Sequence, residues 1–345
     1  MHMADALVSP AVGGTLWAAS AALTFYSARA VRRQAREALI PLMGVMGAFV
    51  FAAQMINVAI PGTGSSGHLG GGLMLAILLG PQAAFLVMAS ILAVQALFFA
   101  DGGLLALGCN IFNLGFFGAF VAYPLVYRPV AGDGASATRC SLAAMLASIV
   151  ALQLGALGVV IETVASGITE LRFSTFALLM QPIHLAIGVM EGLATAAVIA
   201  FVRRARPEVL HVGPWPASRG SNRLLFGGLL AATLLVGGVL SWFASSHPDG
   251  LEWSIFKLTG GEELALPEDS LHQQLASLQE RSAVLPDYSF KSAEAEAEAD
   301  EAQAWPAVSA GTTVSGMVGG ALTLCLACAI GFILRWQGSS RRAAG

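Results

Sequence analysis

Apolar residues along this chain fall into long blocks, at about 10–27, 38–58, 69–79, 82–99, 103–127, 140–163, 183–202, 224–243 and 311–335, with polar or basic punctuation between them. About 20 residues of helix span the hydrocarbon core of a bilayer, so blocks of this kind predict membrane helices. The stretch 69–99 is too long for one crossing and carries Gly80-Pro81 in its middle. Proline inside a helix removes a hydrogen bond and clashes with the preceding turn, which predicts a short helix, a turn and a second helix. The expected fold is all-α, a polytopic membrane helix bundle of nine spans.

The basic residues orient that bundle, because cytoplasmic loops carry an excess of Lys and Arg. Arg29, Arg32, Arg33 and Arg36 follow the first block. Alternating from there places Arg128, Arg139, Arg203, Arg204, Arg206, Arg219, Arg223, Arg335, Arg341 and Arg342 on the same side, 14 of the 18 basic residues. Counting 69–99 as a single crossing would send Arg128, Arg139 and the group at 203–206 to the opposite side. The consistent arrangement has the amino terminus extracytoplasmic and the carboxyl terminus cytoplasmic.

Composition agrees: 56% of residues are hydrophobic and only 11% charged, against about 25% charged in soluble domains. That excludes a water-soluble globular protein. Net charge is −3, but 13 of the 21 acidic residues lie between Asp249 and Glu301. The four cysteines form no disulfide framework; Cys325 and Cys328 make a C-x-x-C inside an apolar block, without a second pair or nearby histidines, and read as packing residues. The chain opens Met1-His2-Met3-Ala4-Asp5 with no basic n-region, so no signal peptide is expected.

A polar, proline-containing stretch, PEVLHVGPWPASRGSN, follows Arg206 and reads as a linker. The layout is therefore a seven-helix body, residues 1–206, a linker at 207–223, and a two-helix appendix, 224–345, whose helices flank an extracytoplasmic loop at 244–310. The run 293–304, alternating alanine with acid, is expected to be solvated or partly helical.

In this topology the amino terminus and the loop 59–69, AIPGTGSSGHL, face the same side. The first carries His2 and the second carries His68, at the mouth of the third span. A free terminal amine, the next amide nitrogen and the imidazole Nδ1 of residue 2 close a five- and a six-membered chelate ring on one metal. Three nitrogens then lie in a plane with one corner open, which the imidazole of His68 can fill. Square-planar nitrogen ligation suits Ni(II) and Cu(II) and disfavours tetrahedral Zn(II). Such a site requires a retained, deformylated Met1. The residues alone also fit a plainer reading, in which both histidines only form hydrogen bonds. His184, near the outer end of the seventh span, reads as a group supporting the ligands or as a replacement ligand; His211, His247 and His272 read as solvated. Glu191 lies in the middle of a span, where ionisable groups are costly and mark function. It reads, with Gln95, Asp101, Asn110 and Asn113, as hydrogen-bonding scaffold rather than ligand. Gly14, Ala18 and Ala22 form a small-residue stripe suited to close helix contact, internal or with a partner.

The opening MHMADALVSPAV resembles the start of the nickel and cobalt substrate-capture proteins, NikM and CbiM, of energy-coupling factor transporters. The stretch from Pro61 to Gly115 resembles their central signature more specifically, through S-G-H-L-G-G-G, L-L-G-P and D-G-G-L-L-A-L-G-C-N-I-F-N. Past residue 206, W-F-A-S-S-H-P-D-G-L-E-W and P-D-Y-S-F look like the accessory subunit NikN or CbiN, here fused. Ala6 departs from the glycine common in the family. The resemblance implies that Met1, His2 and His68 are metal ligands and that the transported substrate is Ni(II), with Co(II) as the alternative. It further implies a bacterial inner-membrane location in the lipid bilayer, a transmembrane scaffold subunit and cytoplasmic ATPase subunits as partners, and no nucleic acid. The chain carries no Walker A pattern and no H-E-x-x-H, so it reads as a transport component and not an enzyme. A self-sufficient channel or secondary carrier is the competing class, although no inverted repeat is evident.

Overall fold

The computed structural model describes residues 2–34, 39–132, 136–206, 223–262, 264–291 and 305–343. Helices occupy all nine apolar blocks. In chain order they are α1 (Pro10–Gln34), α2 (Leu39–Gln54), α3 (Gly72–Leu79), α4 (Pro81–Phe99), α5 (Leu107–Ala131), α6 (Ala137–Ser166), α7 (Phe173–Ala205), α8 (Arg223–Gly238), α9 (Gly250–Thr259), α10 (Ser270–Ser282) and α11 (Ala310–Ala343). Among the described residues five of them, α4 to α7 and α11 over Ala310–Gln337, are long and apolar enough to cross a membrane; α2 and α8 are shorter apolar helices.

The expected break falls where proline puts it. α3 ends at Leu79, and Gly80 follows with a φ of +83° that only glycine adopts readily. Pro81 then opens α4 at the position where a missing N–H costs nothing. Eight residues of helix are only about 12 Å long, so α3 alone cannot cross. Its missing length is supplied by the loop before it, which descends into the bundle. α7 begins ten residues earlier than the apolar block at 183–202 suggests. Gln181 and Pro182 hide its first turns, and Gln153 of α6 donates to the Gln181 carbonyl at 2.7 Å there. Most of α5, Phe112–Tyr127, is wound as a π-helix, a rare form that is frequent at functional sites.

α6 and α7 form the most extensive helix pair, while α2 is covered by α11 and α8. α2 is apolar on every side, which fits a helix enclosed all round. Cys328 packs there, with its thiol 3.7 Å from the Ile40 carbonyl, and the four cysteines are free. Gly14, Ala18 and Ala22 lie exposed on α1, whose buried face is Gly13, Ser20, Ser27 and Val31. The stripe therefore does not serve internal packing.

Candidate metal centre

The amino terminus is drawn into the bundle. Met3, Leu7 and Val8 are buried to 2% exposure or less, and each such side chain contributes roughly 1.5–3 kcal/mol. Buried backbone must find partners. The Met3 N–H donates to Asn110 Oδ1 at 2.7 Å, and the Met3 carbonyl accepts from Asn110 Nδ2 at 3.1 Å and from the Gly103 N–H at 2.9 Å. The Asp5 carboxylate accepts from the Ala106 N–H at 2.9 Å. Asn110 thus grips Met3 through both its N–H and its carbonyl and delivers His2 to one place.

There, His2 Nδ1 lies 2.8 Å from Asp101 Oδ1, and the Tyr288 hydroxyl donates to the other oxygen of the same carboxylate. Burial opposes the charge of Asp101, but His2 and the Tyr288 hydroxyl outweigh it and hold the carboxyl below its usual range. His2 Nε2 is buried without a hydrogen-bond partner.

His68 arrives on a small antiparallel hairpin, β1 (Val58–Ile60) and β2 (Ser65–Gly67), within the stretch read from sequence as a glycine- and serine-rich loop. The imidazoles of His2 and His68 stack with centroids 5.0 Å apart and planes 15° from parallel. His68 Nδ1 sits 3.1 Å from the Leu69 carbonyl, and Nε2 is 3.9 Å from Asp249 Oδ2. Burial pushes the His68 imidazole down to about 3, so it is neutral at physiological pH, the form that binds metals.

Beneath the histidine, Glu191 accepts from the Gly70 and Gly71 N–H groups at 2.8 and 3.1 Å. Gln54 donates to the Gly70 carbonyl at 2.9 Å and accepts from Gln95 at 3.0 Å. Asn113 donates to Glu162 at 2.7 Å. The polar residues of the spans are therefore scaffold. Because Glu191 lies near the middle of α7, the loop reaches well into the bundle, and His68 does not sit at the mouth of a span. His184 is fully buried about two turns before Glu191 on the same helix, its Nδ1 2.8 Å from the Met180 carbonyl.

The carboxyl-terminal part covers this centre. The Ser66 N–H donates to the Pro248 carbonyl at 2.8 Å, the Ser66 hydroxyl to the His247 carbonyl at 2.7 Å, and the Trp253 indole to the Thr63 carbonyl at 3.0 Å. Asp249 caps α9, accepting from the Leu251 and Glu252 N–H groups, while Glu252 accepts from the Asp249 N–H in return. One reading needs correction here. His272 is not solvated: it is fully buried, pairs with Asp269, and its Nε2 lies 3.0 Å from the Val8 carbonyl and 3.2 Å from that of Asp5. His247 is exposed, and His211 and the run 293–304 lie outside the described residues.

Met1 is also outside the described residues, so of the three expected ligands the structure brings together His2 and His68. Among the described residues no three His, Cys, Asp or Glu side chains stand at metal-holding distance from one point. A cavity of about 560 Å³ opens over the pair, walled in part by Asp101, Asp249, Glu252, Glu262 and Asp287, a field that attracts cations. Asp5, Asp249, Tyr288 and His272 are the residues the sequence reading did not place at the centre. The literal strings P-D-G-L-E and P-D-Y-S-F were the only signal for two of them.

Comparison with known proteins shows the family. Residues 2–209 match the family described as the cobalt uptake substrate-specific transmembrane region, CbiM, and residues 223–336 match the PDGLE domain. The chain is 31% identical over 332 residues to a putative fused nickel transport protein NikMN of Archaeoglobus fulgidus, covering 96% of this chain and 98% of that one. It is 33% identical over 181 residues to the cobalt transport protein CbiM of Sorangium cellulosum, covering 52% of this chain and 80% of that one. A crystal structure of a transition metal transporter superposes with a TM-score of 0.52 at 29% identity, covering 60% of this chain and 95% of that one.

Proposed function

Because the chain belongs to the CbiM family of cobalt uptake substrate-specific transmembrane regions, with a PDGLE domain behind it, we propose that it is the substrate-capture component of an ATP-driven metal importer and binds Ni(II) at the extracytoplasmic face through the free amino terminus, His2 and His68. It is a membrane protein of a nickel and cobalt transport family and a transport component by kinship. The observation that carries the reading is the stacked His2–His68 pair at 5.0 Å, reached by an amino-terminal segment whose backbone is pinned by Asn110.

Capture through His2 Nδ1 requires the ring to turn away from Asp101, leaving that carboxylate to the Tyr288 hydroxyl. The stack of the two rings must likewise open, since donor lone pairs lie in the ring planes and two near-parallel rings do not point theirs at one ion. Binding the amine and the amide releases their protons. The seven-helix region 1–206 holds the donors, the stretch 207–223 links, and 224–345 covers the site and assists loading. Scaffold and ATPase subunits complete the importer; the exposed stripe of Gly14, Ala18 and Ala22 gives a close-packing surface for the former.

Nickel is favoured by the near full-length match to a fused nickel protein, cobalt by the family description. Titrating tag-free protein with nickel, cobalt, copper and zinc side by side decides between them. His2→Ala should remove high-affinity binding and His68→Ala should weaken it; wild-type affinity in His2→Ala would overturn the reading. Metal flux through the isolated chain in liposomes without ATP would instead establish a self-sufficient carrier. For orientation, with native cysteines replaced, an impermeant thiol reagent outside the cell should label a cysteine at Ser277 and not one at Ser340.

A further inference from the structure

α7 presents His184, Ile187, Gly188 and Glu191 along one buried face. The last of these holds the His68 loop, but the first has no role in the site described above. His184 Nδ1 lies 2.8 Å from the Met180 carbonyl, an acceptor only, so this nitrogen carries the proton and Nε2 presents a bare lone pair. That Nε2 is fully buried and has no hydrogen-bond partner. A histidine with one ring nitrogen fixed on a backbone carbonyl and the other left bare is in the arrangement that supports metal ligation.

The surroundings fit the same use. His184 borders a cavity of about 10 Å³ whose other walls include Gly67, His68, Asp249 and Gly250, room for about one water-sized occupant. Gly250 follows the Asp249 cap, and a side chain there would crowd this cavity: a Cβ would lie 2.6 Å from Ile183, 3.0 Å from His184 Cε1 and 3.1 Å from Ile187. His68, Asp249 and His184, from three separate elements, thus line one small cavity.

We infer that His184 Nε2 is a further metal ligand, forming with His68 and Asp249 an inner position for a divalent transition metal, into which the ion passes from the amino-terminal chelate. The inference rests on the capture function proposed above for His68. His68 Nε2 lies 3.9 Å from Asp249 Oδ2, and among the described residues no three such groups converge on one point, so joint ligation requires the side chains to turn toward the shared cavity. Since His68 serves both positions, they hold one ion in turn and the stoichiometry remains one. The inner donors are two nitrogens and an oxygen, suited to a tetrahedral ion, in contrast to the planar outer chelate.

The test uses purified full-length chain and Co(II) alone, whose visible absorption reports geometry. In His2→Ala, which lacks the outer chelate, weak binding of one Co(II) should persist with an intense tetrahedral band. Adding His184→Gln should weaken that residual binding about tenfold or more and remove the band, and Asp249→Asn, which keeps the helix cap, should do likewise. If His2→Ala/His184→Gln and His2→Ala/Asp249→Asn both bind Co(II) as His2→Ala does, the inner position is overturned while the outer chelate stands. If His2→Ala binds like wild type, the chelate falls, and the inner position is still judged by the loss on adding His184→Gln.

Discussion

On one side of the His2–His68 pair, residues 2–8 are held by hydrogen bonds between Met3 and Asn110 in both directions, from the Gly103 N–H to the Met3 carbonyl and from the Ala106 N–H to the Asp5 carboxylate, with Met3, Leu7 and Val8 sunk among apolar side chains. On the other side, residues 247–253 and Tyr288 reach the pair through a helix cap, a few loop-to-loop hydrogen bonds and carboxylates bordering a cavity of about 560 Å³. The first wall fixes the positions of backbone nitrogens to within hydrogen-bond tolerance. The second is polar, sits at the rim and contributes charge. A chelate made of an amine, an amide and a ring nitrogen needs the first kind of wall, because its donors are placed by the backbone itself. An ion that must enter and leave needs the second kind, which can lift without unfolding the donors.

Damage to the inner wall should therefore cost more than loss of the outer one. Asn110→Ala leaves the buried Met3 N–H without its acceptor, at about 1–3 kcal/mol. Metal affinity measured by equilibrium dialysis should fall about 10–100-fold while the helix content is kept. Affinity unchanged in a folded Asn110→Ala protein would mean that the position of the Met3 backbone does not matter to binding. Removing 207–345 takes away the whole outer wall yet none of the proposed donors of the amino-terminal chelate. Nickel affinity should then fall by less than about tenfold, with faster release and lower transport in cells. Binding that vanishes from a folded truncation would instead make the outer wall part of the high-affinity capture site.

Much of this arrangement was readable from the chain. The apolar blocks mark every long helix because lipid-facing and buried helix surfaces are both apolar, and Gly80-Pro81 marks the break by its own chemistry. The polar residues inside spans, Gln95, Asn110, Asn113 and Glu191, were legible as scaffold because an uncompensated polar group in such a place is too costly to be idle. What could not be read depends on contacts between distant segments. The 58–67 hairpin has three-residue strands without alternating hydrophobicity, and Ser66 is additionally ordered by Pro248 and Asp249, more than 180 residues away. His272 sits in an amphipathic, charged stretch that reads as solvated until α10 is laid against residues 5–8. The start of α7 was hidden by Pro182, whose lost hydrogen bond looks like a helix boundary in sequence.

The central claim concerns an atom, the terminal nitrogen, and one measurement addresses it directly. Tag-free protein and a variant extended by one uncleaved residue before Met1 are titrated with Ni(II) and examined by absorption and magnetic susceptibility. The extension converts the amine to an amide and leaves every side chain in place. The unextended protein should bind one Ni(II) as a diamagnetic, yellow, square-planar complex, and the extended one should lose it. A square-planar complex of equal affinity in the extended protein would contradict the chelate.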